Sequence, residues 1–134
     1  MNIERIGSAL GRLLISILFI LSGLGKLLHF SATAGMMAST GIPLARVALV
    51  LTLIIEIGGG LALLLGFQMR YAAVIMALFL VPVTLTFHNF WAYQGAQQQE
   101  QMVNFLKNVA IMGGLLLAAS APVRAAASLA GRAE

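Results

Sequence analysis

Four side chains could do acid–base or hydrogen-bonding chemistry from within apolar surroundings: Lys26, Glu56, His88 and Lys107. A carboxyl or imidazole beside a bound ligand can take up or return a proton, which makes Glu56 and His88 the candidate proton relay. Ammonium and amide groups donate hydrogen bonds to carbonyl oxygens. Lys26, Asn89, Asn104, Lys107 and Asn108 therefore join Glu56 and His88 as candidate ligand-binding positions. Other chemistry is closed to the chain. It has no cysteine, which excludes disulfides, thiol catalysis and cysteine-ligated iron–sulfur clusters. It has two histidines, four glutamates and no aspartate. A three-histidine zinc site is impossible within one copy, and two histidines plus a carboxylate would consume both imidazoles, so no metal site is expected. No self-contained catalytic motif is visible, so any oxidoreductase role would be that of a subunit.

The elements that must position these groups follow from composition. Of 134 residues, 60% are hydrophobic and 9% charged, against roughly 25% charged in a soluble domain. Twelve charges cannot cover the surface of a small soluble fold. An ordinary soluble enzyme, a disordered tail and a nucleic-acid module are excluded, and the solvent is a lipid bilayer. The net charge of +4 sits around apolar runs, as expected for topology signals and anionic lipid. Four apolar stretches, at about 8–28, 44–66, 70–88 and 102–121, each approach the ~20 residues that cross ~30 Å of hydrocarbon. Residues 31–43 carry Gly35, Gly41 and Pro43 and read as a loop; Gly66-Phe67-Gln68-Met69-Arg70 reads as a tight turn. Residues 94–101 are the most polar segment and belong in water or headgroups, with Trp91 and Tyr93 as an interfacial belt. The expected fold is an all-α membrane protein, a four-transmembrane-helix bundle over residues 1–121 with a short cytoplasmic tail at 122–134.

Basic residues orient the bundle. Arg5, Arg12, Arg70, Arg124 and Arg132 fall on one side, and Lys26, Arg46 and Lys107 on the other. Both termini are therefore expected in the cytoplasm. Ala32-Thr33-Ala34 resembles a signal-peptidase site. The first span is long for a signal peptide, however, and Lys26 and His29 stand where a signal's tail is neutral, so it reads as a retained span.

Polar residues inside spans usually face the bundle interior. Glu56 lies near the bilayer centre, with Thr52, Gly59 and Gly60 on its face. Matching stripes run along the first span (Arg12, Ser16, Phe19, Gly23, Lys26), the third (Val74, Ala77, Val81, Thr84, His88) and the fourth (Asn104, Lys107, Asn108, Ile111, Gly114). Pro82 leaves the Leu78 carbonyl without its helical donor. Counting depth from the span ends puts Lys107 about 9 Å from Glu56 and Lys26 about 14 Å away. Lys107 is then the nearer partner and Lys26 the poorer one. The convergence predicts a polar pocket in the outer half of the bundle with Glu56 as its floor. Structural roles compete with this reading: Glu56 as an interhelical lock, Lys26 snorkelling to the interface, and His88 as an interfacial residue beside Asn89 and Trp91. The glycine pairs read as packing features, and the methionines as apolar filler.

The sequence resembles the DoxX family of small four-helix membrane proteins. The resemblance rests on RLLISILFILSGLGKLLHF (12–30), EIGGGLALLLGFQMR (56–70), FHNFW (87–91) and NFLKNVAIMGGLL (104–116), with most of the likeness in SGLGK at 22–26. It implies a multi-pass protein of the bacterial inner (plasma) membrane. It further implies a link either to quinone-coupled sulfur oxidation, as the membrane subunit of a thiosulfate:quinone oxidoreductase, or to membrane complexes that handle oxidative stress with soluble partners. Lys26, Glu56, His88, Asn89, Lys107 and Asn108 fill the family's polar positions, and a quinone is the cofactor it suggests. The leading expectation is thus an accessory subunit of a redox complex, in contact with lipid and with either further copies or a redox partner. The alternatives are a small proton-coupled transporter or channel acting as an oligomer, which suits Glu56 at midplane, and a non-catalytic membrane scaffold.

Overall fold

The structure, a computed structural model, describes residues 2–122. Residues 123–134, which hold most of the expected tail with Arg124 and Arg132, lie outside the described residues. The described residues form helices and no strand: α1 (Ile3–Leu28), α2 (Phe30–Ser39), α3 (Ala45–Leu53), a π-helical turn (Ile54–Gly58), α4 (Gly59–Leu65), α5 (Met69–Phe87), a 3₁₀ turn (Phe90–Ala92) and α6 (Gly95–Ser120). α3, the π turn and α4 run on as one span, so four helical segments are long and apolar enough to cross a bilayer: Ile3–Leu28, Ala45–Leu65, Met69–Ala92 and Gly95–Ser120.

Local chemistry fixes the ends. Asn2 caps α1, its side-chain oxygen accepting from the Arg5 amide at 3.1 Å. Glu4 in the first turn and Lys26 in the last both suit the helix dipole. The second span stops at Gly66, which is left-handed at φ +71°. There the Phe67 amide bonds the Ala62 carbonyl and the Gly66 amide the Leu63 carbonyl, a Schellman arrangement. α5 passes through Pro82 without a break.

Two sequence expectations change. Residues 31–43 are not all loop, because α2 occupies Phe30–Ser39 and ends at Thr40–Gly41, where Gly41 has φ +87°. Gly35 is exposed on it and cannot break the packing. Ala34 and Met37 of α2 are buried with Leu49 of α3, flanked by Phe30, Ala48 and Phe87, and this apolar seam holds the helix against the second span. The fourth helix starts at Gly95 rather than near 102. Its glutamine-rich first turns are exposed and extend the helix past the apolar part.

Helix α1 packs against the second span and α6, the second span against α5, and α5 against α6, giving a closed ring of four antiparallel spans. The main core joins Phe19, Leu63, Ala73, Met76, Ala77, Leu80 and Leu115. Leucines such as Leu14, Leu21, Leu65 and Leu117 point outward, as a helix surface facing lipid requires.

Candidate functional site

The interior stripe of α1 is as its spacing predicts. Ser16, Phe19 and Gly23 are buried, and Arg12 and Lys26 are partly buried at its two ends. The face is small enough for the second span to come close. A Cβ on Gly60 would fall 2.8 Å from Ile20 Cγ1 and 3.4 Å from the Ser16 carbonyl oxygen. A Cβ on Gly23 would fall 2.6 Å from Ile57 Cγ1 and 3.3 Å from Glu56 Cβ. Gly59, one position from Gly60, instead faces Met76 of α5. The adjacent glycines thus serve two different neighbours.

That approach brings Glu56 to Lys26. The Lys26 ammonium donates to both Glu56 carboxylate oxygens at 3.0 Å and to Ser22 Oγ at 2.6 Å. Ser22 Oγ in turn lies 3.5 Å from Glu56 Oε1. An ammonium has three hydrogens, and here each has an acceptor within the chain. The Glu56 side chain is 7% exposed and that of Lys26 30%. Glu56 sits within the π turn, a feature that often marks functional positions.

Lys26 is therefore the partner of Glu56, and the expected preference for Lys107 is corrected. The reason is register. Gly23 lies opposite residues 56–57, Ser16 and Ile20 opposite Gly60, and Arg12 opposite Gly66. The end of α1 is then level with about residue 51, and the first turns of α3 stand beyond it, covered by α2. Lys26 and Glu56 differ by about three residues in depth, roughly 4–5 Å, which their side chains span. Lys107 is exposed. It lies roughly 70° round the helix from the mean direction of Asn104, Asn108, Ile111 and Leu115.

The remaining candidates fall on the other half of the ring. Asn108 Nδ2 donates to Thr84 Oγ1 at 3.1 Å, joining α6 to α5 at a hydroxyl that is almost fully buried. His88 Nδ1 lies 2.9 Å from Gln101 Oε1. Asn89 precedes the 3₁₀ turn, and its carbonyl accepts from the Ala92 amide at 2.9 Å. Asn104 is partly buried. The interior stripe of α5 is Ala73, Met76, Ala77, Leu80 and Thr84, so Val74 and Val81 of the expected stripe point outward. Phe90, Trp91 and Phe105 stack edge to face beside this end. The structure opens clefts of about 510, 460 and 700 Å³, and none of these three is lined by Lys26, Glu56, His88 or Lys107. Sequence reasoning missed Gln101, whose glutamine-rich surroundings hide it, and the role of Ser22, whose spacing of four from Lys26 was the available signal.

Fold and site together define a multi-pass membrane protein, a four-span bundle with a lysine–glutamate pair held between its first two spans. The DoxX family pattern matches residues 7–89, which takes in Ser22, Lys26, Glu56, His88 and Asn89 and stops before α6. The chain belongs to the DoxX family. It is 37% identical to inner membrane protein YqjF of Escherichia coli K12 over 118 residues, 88% of this chain and 85% of that protein. It is 31% identical to inner membrane protein YphA of the same organism over 110 residues, 82% of this chain and 79% of that protein. A 66-residue stretch is 29% identical to the yeast ER-derived vesicles protein ERV29, covering 49% of this chain and 21% of that protein. No solved structure matches.

Proposed function

We propose that this chain is an accessory membrane subunit of a quinone-linked or oxidative-stress redox complex, working with a soluble redox partner or with further copies of itself. The observation that carries this reading is the Lys26–Ser22–Glu56 cluster: an acid and a base joined inside an apolar bundle, with the Lys26 side chain 30% exposed. Charges kept in hydrocarbon at such a cost are functional by default. A quinone carbonyl fits the donor set, because it is the kind of acceptor that could take the place of Ser22 on the ammonium. Bound there, a quinone would supply electron transfer. The chain's own groups would hold the oxygen through Lys26 and hold or release a proton at Glu56.

One observation favours a second reading, the scaffold. All three ammonium hydrogens are already satisfied within the chain, which is what a lock between two helices requires. Lipid extracts of protein purified in mild detergent separate the two. The redox reading expects a quinone retained in near-equal amount with the protein and lost in Lys26→Met. No retained quinone, and no binding on adding a soluble quinone analogue, would leave the lock.

A further inference from the structure

At the opposite end of the bundle a second charged group is partly buried, and its Nε has no hydrogen-bond acceptor among the described residues. Arg12 is a partly buried residue inside α1. Among the described residues its Nε is fully enclosed with no hydrogen-bond acceptor. Its Nη1 reaches only the thioether of Met69, at 3.5 Å, a weak acceptor. The guanidinium rests on Gly66, where a Cβ would come 2.7 Å from Nη1, so the α4 terminus meets it with the favourable end of the helix dipole. That partial charge does not replace an acceptor, and an enclosed guanidinium nitrogen without one is costly.

Arg12 lines the cleft of about 700 Å³, together with Arg5, Ser8, Glu4, Met69 and Pro122. Arg5, Ser8 and Arg12 are spaced three and four apart, hence on one face of α1. The cleft adjoins that of about 510 Å³, which is flanked by Arg70 and Tyr71 and also touches Met69 and Pro122. Depth identifies the surroundings. Arg12 is level with the Gly66–Gln68 turn between two spans, and α1 projects about two turns beyond it. The projecting part exposes Ile3, Ile6 and Leu10 while Arg5 and Ser8 turn to the cleft. This amphipathic arrangement lies in the headgroup layer.

We propose that this cleft binds the phosphate of an anionic phospholipid, with Arg12 as the inner donor and Arg5 and Ser8 as the outer donors. Planar guanidinium forks match phosphate oxygens, and a headgroup supplies such oxygens at the depth of Arg12.

Native mass spectrometry of the full chain, released from mild detergent after mixing with phosphatidylglycerol or phosphatidylcholine, tests this. Wild type should retain phosphatidylglycerol at least about tenfold better than phosphatidylcholine, an energy difference of about 1.4 kcal/mol. Arg12→Gln should lose that preference. Ser8→Glu, at an exposed position that leaves the packing intact, should lose it too while unfolding at the wild-type temperature in phosphatidylcholine. Equal retention of the two lipids by wild type, or an undiminished preference in Ser8→Glu, would overturn the proposal. Saturable binding of inorganic phosphate without any lipid preference would equally overturn the lipid assignment, since the source would then be a free anion.

Discussion

Gly23 of α1 lies against Ile57 so closely that a Cβ on the glycine would stand 2.6 Å from Ile57 Cγ1. Gly25, two residues on in the same SGLGK segment, meets nothing within 4 Å. The two glycines therefore do different work. Gly23→Ala must push the first two spans apart, and overpacking of this kind costs about 1–3 kcal/mol. Gly25→Ala relieves the backbone entropy of a helical glycine and should be neutral or gain about 0.5–1 kcal/mol. Thermal unfolding of both variants in one detergent checks the contrast. Equal melting temperatures would refute it.

The Lys26–Glu56 pair makes a second prediction. Removing one partner leaves the other buried and unpaired, a loss of about 3–5 kcal/mol. Replacing both with apolar residues of similar volume leaves no orphan charge. Lys26→Met and Glu56→Leu should each destabilise strongly, and the double variant should recover most of the loss. A double-mutant cycle by denaturation in detergent measures the coupling. Additive single losses would mean that the pair contributes nothing as a pair.

A third prediction concerns the α5–α6 contact. Thr84→Val removes the hydroxyl that accepts from Asn108. Interhelical hydrogen bonds in membranes average about 0.6 kcal/mol and reach about 1.7. The loss should fall in that range and be mirrored by Asn108→Leu, with no further loss when the two are combined. A loss several times larger would show that Asn108 supports something beyond α5.

The absence of cysteine makes single introduced thiols clean reporters of topology. The distribution of basic residues predicts that the Gly66–Gln68 turn and both termini face the cytoplasm. Gln68→Cys should then be labelled by a membrane-impermeant maleimide only after the cells are opened. Ser39→Cys on α2 and Gln97→Cys at the start of α6, both exposed, should be labelled in intact spheroplasts. The reverse pattern would invert the bundle.

Hydropathy made the four spans legible, and the stripe from Arg12 to Lys26 showed which face of α1 turns inward. The same signal could not find α2. Its segment, FSATAGMMAS, has no side-chain cap hydrogen bond and carries Gly35, and what holds it is burial of Ala34 and Met37 against Leu49 of α3. Glu56 was legible as inward-facing, but its partner was not. Pairing by depth assumes that spans begin and end level, and here α3 rises past the end of α1. The π turn left no mark in the sequence beyond the run of glycines that tolerates it. Lys107 shares helical spacing with its polar neighbours, yet lies far enough round α6 to face outward. A period of 3.6 fixes faces more sharply than it fixes which edge of a face is covered.

The polar bonds divide the ring in a particular way. Lys26 and Ser22 meet Glu56 within the first pair of spans. Asn108 meets Thr84, His88 meets Gln101, and Arg70 donates to the Ala119 carbonyl within the second. Between the pairs the seam is largely apolar, built from Phe19, Leu63, Met76 and Leu115. Apart from the Arg12 contact with the Met69 thioether, each hairpin thus makes these polar bonds within itself. During biogenesis the first hairpin can leave the insertion machinery with Lys26 and Glu56 already neutralised, before α5 has been synthesised. The second can follow as a unit, and the two then join side by side in the bilayer chiefly through apolar packing.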